Sequence, residues 1–224
     1  MRGKLIIIES GSDGSGKATQ TEKLFTKLKG ENYKIKKVSY PNYESPACMP
    51  VKMYLNGDFG NKPDDVNAYV ASTFYAIDRF ASFKKDWEDF YNEGGIIIAD
   101  RYTTSNMVHQ ASKMSIDKRD EYLDWLYNLE FELYGLPKPD AVIFLDVAPE
   151  VSQELMKDRA NKITGEQEKD IHEKDTQYLI NSYNNAKFIA DKYNWIKIDC
   201  VQDGKLLDIE RIHEKIYSSI KTYL

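Results

Sequence analysis

Cysteine is scarce in this chain of 224 residues, with only Cys48 and Cys200 present. So far apart in sequence, they form neither a metal-type nor a redox-type pair, which excludes a disulfide scaffold and suits a reducing compartment. Basic charge is also in deficit, 31 Lys and Arg standing against 36 Asp and Glu for a net charge of -5. No global positive field is available for a nucleic-acid backbone, so a polymeric nucleic acid is not an expected partner. Long hydrophobic runs are missing too: none approaches the roughly 20 residues that span a bilayer. The start at Met1, Arg2, Gly3 and Lys4 leads straight into an apolar stretch without the pattern of a signal peptide. The expectation is a cytoplasmic protein with no membrane partner, of a length that fits one α/β domain spanning 1–224.

What is present begins with Ile6, Ile7 and Ile8, an apolar run that ends in Gly11, Ser12, Asp13, Gly14, Ser15, Gly16 and Lys17. A strand followed by Gly-x4-Gly-Lys reads as a phosphate-binding loop. Glycines at 11, 14 and 16 open backbone conformations that aim successive N–H groups at a polyphosphate, and Lys17 adds a point charge. The amphipathic segment that follows, with Leu24, Phe25 and Leu28, presents a helix N-terminus to the same anion. The loop therefore predicts binding of a nucleoside triphosphate. One absence is local: Ala18 stands where a Ser or Thr hydroxyl commonly ligates magnesium, and Thr19 is no simple substitute. The Gly16-Lys17-Ala18-Thr19-Gln20 run resembles the Gly-Lys-Gly-Thr-Gln of adenylate kinases, so the missing hydroxyl points toward nucleotide kinases.

Short Ile- and Val-rich runs recur at 4–8, 35–40, 96–99, 141–146 and 195–199, separated by longer polar segments with helical periodicity. That alternation predicts a parallel sheet with helices on both faces, strands apolar throughout, right-handed crossovers, and ligands beyond the carboxyl ends of the strands. The last helix is expected to bury Ile209, Ile212, Ile216 and Ile220 as one stripe. The third strand ends in Asp100 and Arg101, where an acid can organise a magnesium ion through its water and a guanidinium can grip phosphate oxygens. A helix cap with a surface partner is the plain alternative for that pair, and Asp146 at the end of the fourth strand is the competing acid. Ser105, Asn106, His109 and Gln110 are expected on adjoining parts of one helical face, able to read a base or sugar, or else simply solvated. Tyr75 and Arg79, four apart on one helical side, suit stacking on a base and donation to its carbonyl; aromatics at that spacing are otherwise core.

These elements together, with Leu136-Pro137-Lys138-Pro139-Asp140 before the fourth strand, closely resemble the thymidylate kinase family nearly end to end. The resemblance implies a three-layer α/β/α P-loop NTPase fold with a five-stranded parallel sheet, a homodimer, small-molecule nucleotides as partners, and transfer of the ATP γ-phosphate to dTMP with Mg2+. On matching positions it implies that the 11–19 loop with Lys17 holds ATP, and that Asp13 approaches the acceptor's sugar. Arg101 would bind the monophosphate and Asp100 the metal through water. Arg79 would meet the thymine carbonyl and Tyr75 the base plane, with Phe74 as a neighbouring candidate. Ser105, Asn106 and Gln110 would complete the pocket. A mobile lid of the bacterial type is expected at about 160–170, with Arg159 as the candidate catalytic cation, or else a surface charge at a helix end, and Lys162 and Lys169 beside it. The chain departs from the family at Tyr43, where an arginine is usual, and at His109, where many bacterial members have a tyrosine. Those departures leave room for another (deoxy)nucleoside monophosphate or a deoxynucleoside as acceptor, and Ala18 with Tyr43 leaves room for a non-catalytic ATP-binding module. The apolar 66–90 segment is long enough to offer a dimer interface.

Overall fold

The apolar run after the N-terminus forms β1 (Lys4–Ser10), and the computed structural model, which describes residues 2–156 and 170–224, places it at the centre of the sheet. From β1 the glycine loop turns into α1 (Lys17–Gly30), which returns the chain to β2 (Ile35–Ser39). The stretch between β2 and the third strand holds α2 (Met49–Asn56), α3 (Ala68–Ser82) and α4 (Glu88–Asn92), the last two joined by a π-helical turn at Phe83–Trp87. β3 (Ile96–Asp100) leads into α5 (Thr103–Ser105), a π-helical turn at Asn106–Gln110, and α6 (Arg119–Tyr127) with a further π-helical turn at Asn128–Leu133. Then come β4 (Ala141–Asp146), α7 (Pro149–Met156), α8 (Ile171–Lys174), α9 (Thr176–Lys192) and β5 (Ile196–Asp199). A small hairpin, β6 (Val201–Gln202) and β7 (Lys205–Leu206), precedes α10 (Ile209–Ile220).

The strands pair in parallel in the order β2-β3-β1-β4-β5, with Ile8 opposite Asp100 and Ser10 opposite Leu145. The chain fills one side of β1 with β3 and β2 and then crosses to the other with β4 and β5. The reversal of direction opens a crevice at the carboxyl end of β1, where ligands bind in such sheets. Alternation along β1 divides the core into two layers. Ile6 and Ile8 pack with Leu24 and Leu28 of α1 and with Ile212, Ile216 and Ile220 of α10, whereas Leu5 and Ile7 pack toward Ala186 and Ile189 of α9.

Two expectations are corrected here. The edge strand β2 is not apolar throughout: Lys36 and Lys37 keep it partly exposed, because a strand with one open edge has less to bury. Ile209 stands 49% exposed at the first turn of α10, so the packing stripe begins at Ile212. Arg159, Lys162, Lys169 and all of the expected lid except Asp170 lie outside the described residues.

Candidate active site

Three helices near the sheet begin with a side-chain cap: Asn67 accepts from the Val70 amide, Asp175 from Tyr178 and Asp208 from Arg211. α1 does not. Its N-cap is Gly16, in the left-handed region at φ 84°, a residue with no side chain to cap the first amides. Gly14 takes the same region at φ 77°. An uncapped helix start preceded by two such glycines leaves backbone donors for an incoming anion. Gly11 behaves differently. Its φ is not positive, and a Cβ there would lie 2.8 Å from the Tyr183 Cα and 2.9 Å from the Ala186 Cβ. The expectation that Gly11 supplies loop freedom is therefore corrected, because its small size is what lets α9 approach the strand end. Neither Gly11 nor Ser12 lines the cavity described below.

Lys17 lies folded over the loop. Its Nζ donates to Ser10 Oγ and to the Ser12 carbonyl, both at 2.7 Å, and to Ser15 Oγ at 3.3 Å, with Asp13 at 3.8 Å. Burial, and secondarily the nearby Arg101, push its pKa down to about 8. Across the crevice, Arg101 has a left-handed backbone at φ 66°, a conformation that costs a non-glycine residue about 1–2 kcal/mol. Its amide still bonds the Ile8 carbonyl at 3.1 Å, so the ladder ends there and the side chain is thrown across the end of β1. The guanidinium pairs with Asp13, donates to His109 Nε2 at 3.0 Å and faces Glu9 at 3.9 Å. Burial together with Arg101 and other cations holds His109 neutral, well below its ordinary pKa. With Nε2 accepting from Arg101, the ring proton sits on Nδ1.

Both groups open onto one cavity of about 550 Å³, within the range of small-molecule sites. Its wall holds Asp13 to Thr19 of the loop, Asp100 and Arg101, and then Tyr43, Tyr75, Arg79, Ser105, Asn106, His109 and Gln110. The last four come from the Thr103–Ser105 turn and the wider π-helical turn after it, so the 3.6-residue spacing expected for them does not hold, although the wall they form does. Tyr75 faces the cavity, whereas Phe74 packs against Tyr54 and Phe59. Asp146 is bonded by the Tyr183 hydroxyl at 2.7 Å and lies outside the wall, which separates it from Asp100.

Several wall and supporting residues carried no clear sequence signal. Glu9 is fully buried, accepting from Thr104 Oγ1 at 2.8 Å, Ser105 Oγ at 2.6 Å and the Ser10 amide at 3.0 Å. A charge inside an isoleucine-rich strand was the available hint. Glu130 is also fully buried, in a two-point ion pair with Arg79 at 2.5 and 2.6 Å. Asp170 just before α8, His172 on α8 and Tyr178 on α9 reach the wall. His172 Nε2 meets the Tyr54 hydroxyl at 2.9 Å, and burial pushes its pKa down to about 3.

An open helix start and a guanidinium facing one cavity at the carboxyl end of a parallel sheet are arranged as in the class of P-loop phosphotransferases. The family model described as thymidylate kinase matches residues 8–215, and the chain belongs to that family. It is 30% identical over 174 residues to the thymidylate kinase of Mycobacterium tuberculosis, covering 77% of this chain and 79% of that one. With the Plasmodium falciparum thymidylate kinase it shares 26% identity over 220 residues, 98% and 90% of the two chains. In fold it is similar to the solved thymidylate kinase of Candida albicans, with a TM-score of 0.71 and 24% identity over 99% of this chain and 92% of that one.

Proposed function

We propose that this enzyme transfers the γ-phosphate of ATP to dTMP, giving dTDP and ADP. The observation that carries the reading is the meeting of Lys17 and Arg101 across one cavity, with Asp13 beside both. The loop amides and Lys17 bind the donor phosphates, and Thr19 and Ala18, both exposed, lie at the mouth. Arg101 exchanges Asp13 for the acceptor phosphate and points one of its oxygens at the γ-phosphorus. A new P–O bond forms there as the bond to the β-phosphate oxygen breaks and ADP leaves; the attacking phosphate oxygen needs no base. Tyr75 stacks on the base and Arg79 donates to its carbonyl. Ser105 has given its hydrogen to Glu9, so it can only accept from the nucleotide. Tyr43, partly buried near Arg101 and Asp13, keeps its proton and offers a neutral hydroxyl where a cation would add charge.

The donor set fits magnesium carried in on ATP rather than a resident ion. Among the described residues no group of three His, Cys, Asp or Glu could hold a metal, and Ala18 has no ligand atom. Asp100, with the phosphates and water, would hold it, and it would supply charge neutralisation at the transferring group.

A homodimer is part of the same proposal. Val70, Ile77 and Phe80 of α3 are 42%, 42% and 39% exposed along one stripe, opposite Tyr75 and Arg79, and Leu133, which precedes the Tyr134 that meets Phe80, is 70% exposed. Free, buried Cys48 and Cys200 support a cytoplasmic location, and among the described residues no helix is long and apolar enough to cross a membrane.

The test is ADP production from Mg-ATP with dTMP, dUMP, UMP, dCMP, dGMP, AMP and thymidine. Strong preference for dTMP is expected. A preference for another acceptor would overturn the assignment and make Tyr43 and His109 the residues to exchange.

A further inference from the structure

We propose that Glu130 decides which nucleobase the acceptor pocket takes, by fixing the hydrogen-bond polarity of Arg79 and Asn106. The inference rests on the dTMP reading above and deepens it.

Glu130 lies on the π-helical turn after α6, with no exposed surface, and its four acceptor sites are all used. Oε2 accepts from Arg79 Nε at 2.6 Å and Thr103 Oγ1 at 2.8 Å. Oε1 accepts from Arg79 Nη2 at 2.5 Å and Asn106 Nδ2 at 3.3 Å. A carboxylate saturated by four donors cannot rotate without losing several of them. Buried ion pairs add little net stability, since desolvation offsets attraction. What this one does is set direction. With the Nε and Nη2 edge of Arg79 held, and Nη1 reaching the Tyr102 carbonyl at 3.4 Å, the donors left lie on the outer edge of a guanidinium that lines the cavity.

Asn106 is fixed by the same carboxylate. Its Nδ2 faces two acceptors, Glu130 Oε1 and the Ser72 carbonyl at 3.3 Å, so both amide hydrogens are committed and Oδ1 is what the side chain offers as an acceptor. Arg79 donors beside an Asn106 acceptor match a 4-oxopyrimidine, which shows a carbonyl next to a ring N–H. Cytosine reverses that pattern, with an amino donor next to a bare ring nitrogen, and would leave buried groups on both sides unpaired. Glu130 touches no substrate in this arrangement; it is a positioning residue.

The test is Glu130→Gln, assayed with dTMP and dCMP beside the wild type. The amide keeps the shape but offers one acceptor oxygen and turns two donors toward donors. The expected result is a fall of about tenfold or more in the dTMP-to-dCMP ratio of kcat/KM. The loss should fall on KM for dTMP, with kcat at saturation within roughly threefold of wild type. ATP-analogue affinity measured by calorimetry reports an intact fold. A folded Glu130→Gln enzyme with the wild-type ratio and KM would overturn the proposal. If the amide variant does not fold, Glu130→Asp keeps the charge and draws it back by one methylene; a smaller fall in the same ratio supports the role, and an unchanged ratio overturns it. Wild type measured first keeps the two readings apart, because indifference between dTMP and dCMP there defeats the dTMP assignment before any variant is made.

Discussion

At the scale of single residues, the site depends on two cations in different electrostatic states. Arg101 is raised above its already high pKa by Asp13, Glu9 and Asp100 against the cost of burial, so it stays charged at any working pH. Removing it should leave the donor site standing: Arg101→Ala is expected to lose transfer by on the order of 1000-fold while ATP still binds. Steady-state assay and calorimetry on the same sample check this, and an active variant would overturn the phosphate-clamp role. Lys17 is the opposite case. Its pKa falls from 10.5 to about 8, so above pH 8 the free enzyme begins to lose the charge that meets the polyphosphate. ATP restores that charge, hence affinity should fall as pH rises through 8, and binding just above pH 8 should take up a proton. Calorimetry in buffers of different ionisation heat reads the uptake, which should vanish in Lys17→Met. For stability, the unfolded lysine holds its proton up to 10.5 and the folded one only to about 8. The unfolded state binds more protons between those values, so this group's contribution to stability rises with pH across the window, by about 3 kcal/mol in total.

At the scale of elements, the strand and loop were legible because their signals are local: five apolar runs for the sheet, and a fixed spacing for the loop. The position of Tyr75 and Arg79 on one side of a helix was legible for the same reason. The supporting acids were not. Glu130 alternates with Leu129, Phe131 and Leu133 beside a second acid, Glu132, and the π-helical turn at Asn128–Leu133 destroys the 3.6-residue register that would have marked it as inward. The same widening at Asn106–Gln110 explains why the expected polar wall forms while the regular helical face expected to carry it does not. Gly11 was misread because a glycine in a phosphate loop and a glycine under a helix look alike in sequence. The two meanings separate experimentally. Gly11→Ala puts a Cβ against the backbone of α9 at 2.8 Å, where no flexible end can yield, and is expected to destabilise the fold by about 1–3 kcal/mol. Thermal unfolding should register the loss, and an unchanged Tm would mean that α9 does not need that contact.

At the scale of the whole molecule, α3 joins the cavity to the outer surface. Its inner side carries Tyr75 and Arg79 at the cavity, and its outer side carries Val70, Ile77 and Phe80 in solvent, with the Phe80 ring 5.3 Å from that of Tyr134. Large apolar groups half exposed in one stripe are what a two-fold contact between identical helices would bury, at about 1.5–3 kcal/mol for each side chain fully covered. A two-fold axis brings each stripe against its own copy, so one charged substitution places like charges opposite each other. Ile77→Glu combined with Phe80→Glu should therefore sediment as a monomer where the wild type sediments as a dimer. Because the stripe and the residues proposed to meet the base share one helix, dissociation should also raise KM for dTMP more than KM for ATP, whose proposed loop leads into α1. A monomeric wild type would remove the dimer from the proposal. A dimeric double variant would move the interface to another surface, away from the helix that carries Arg79.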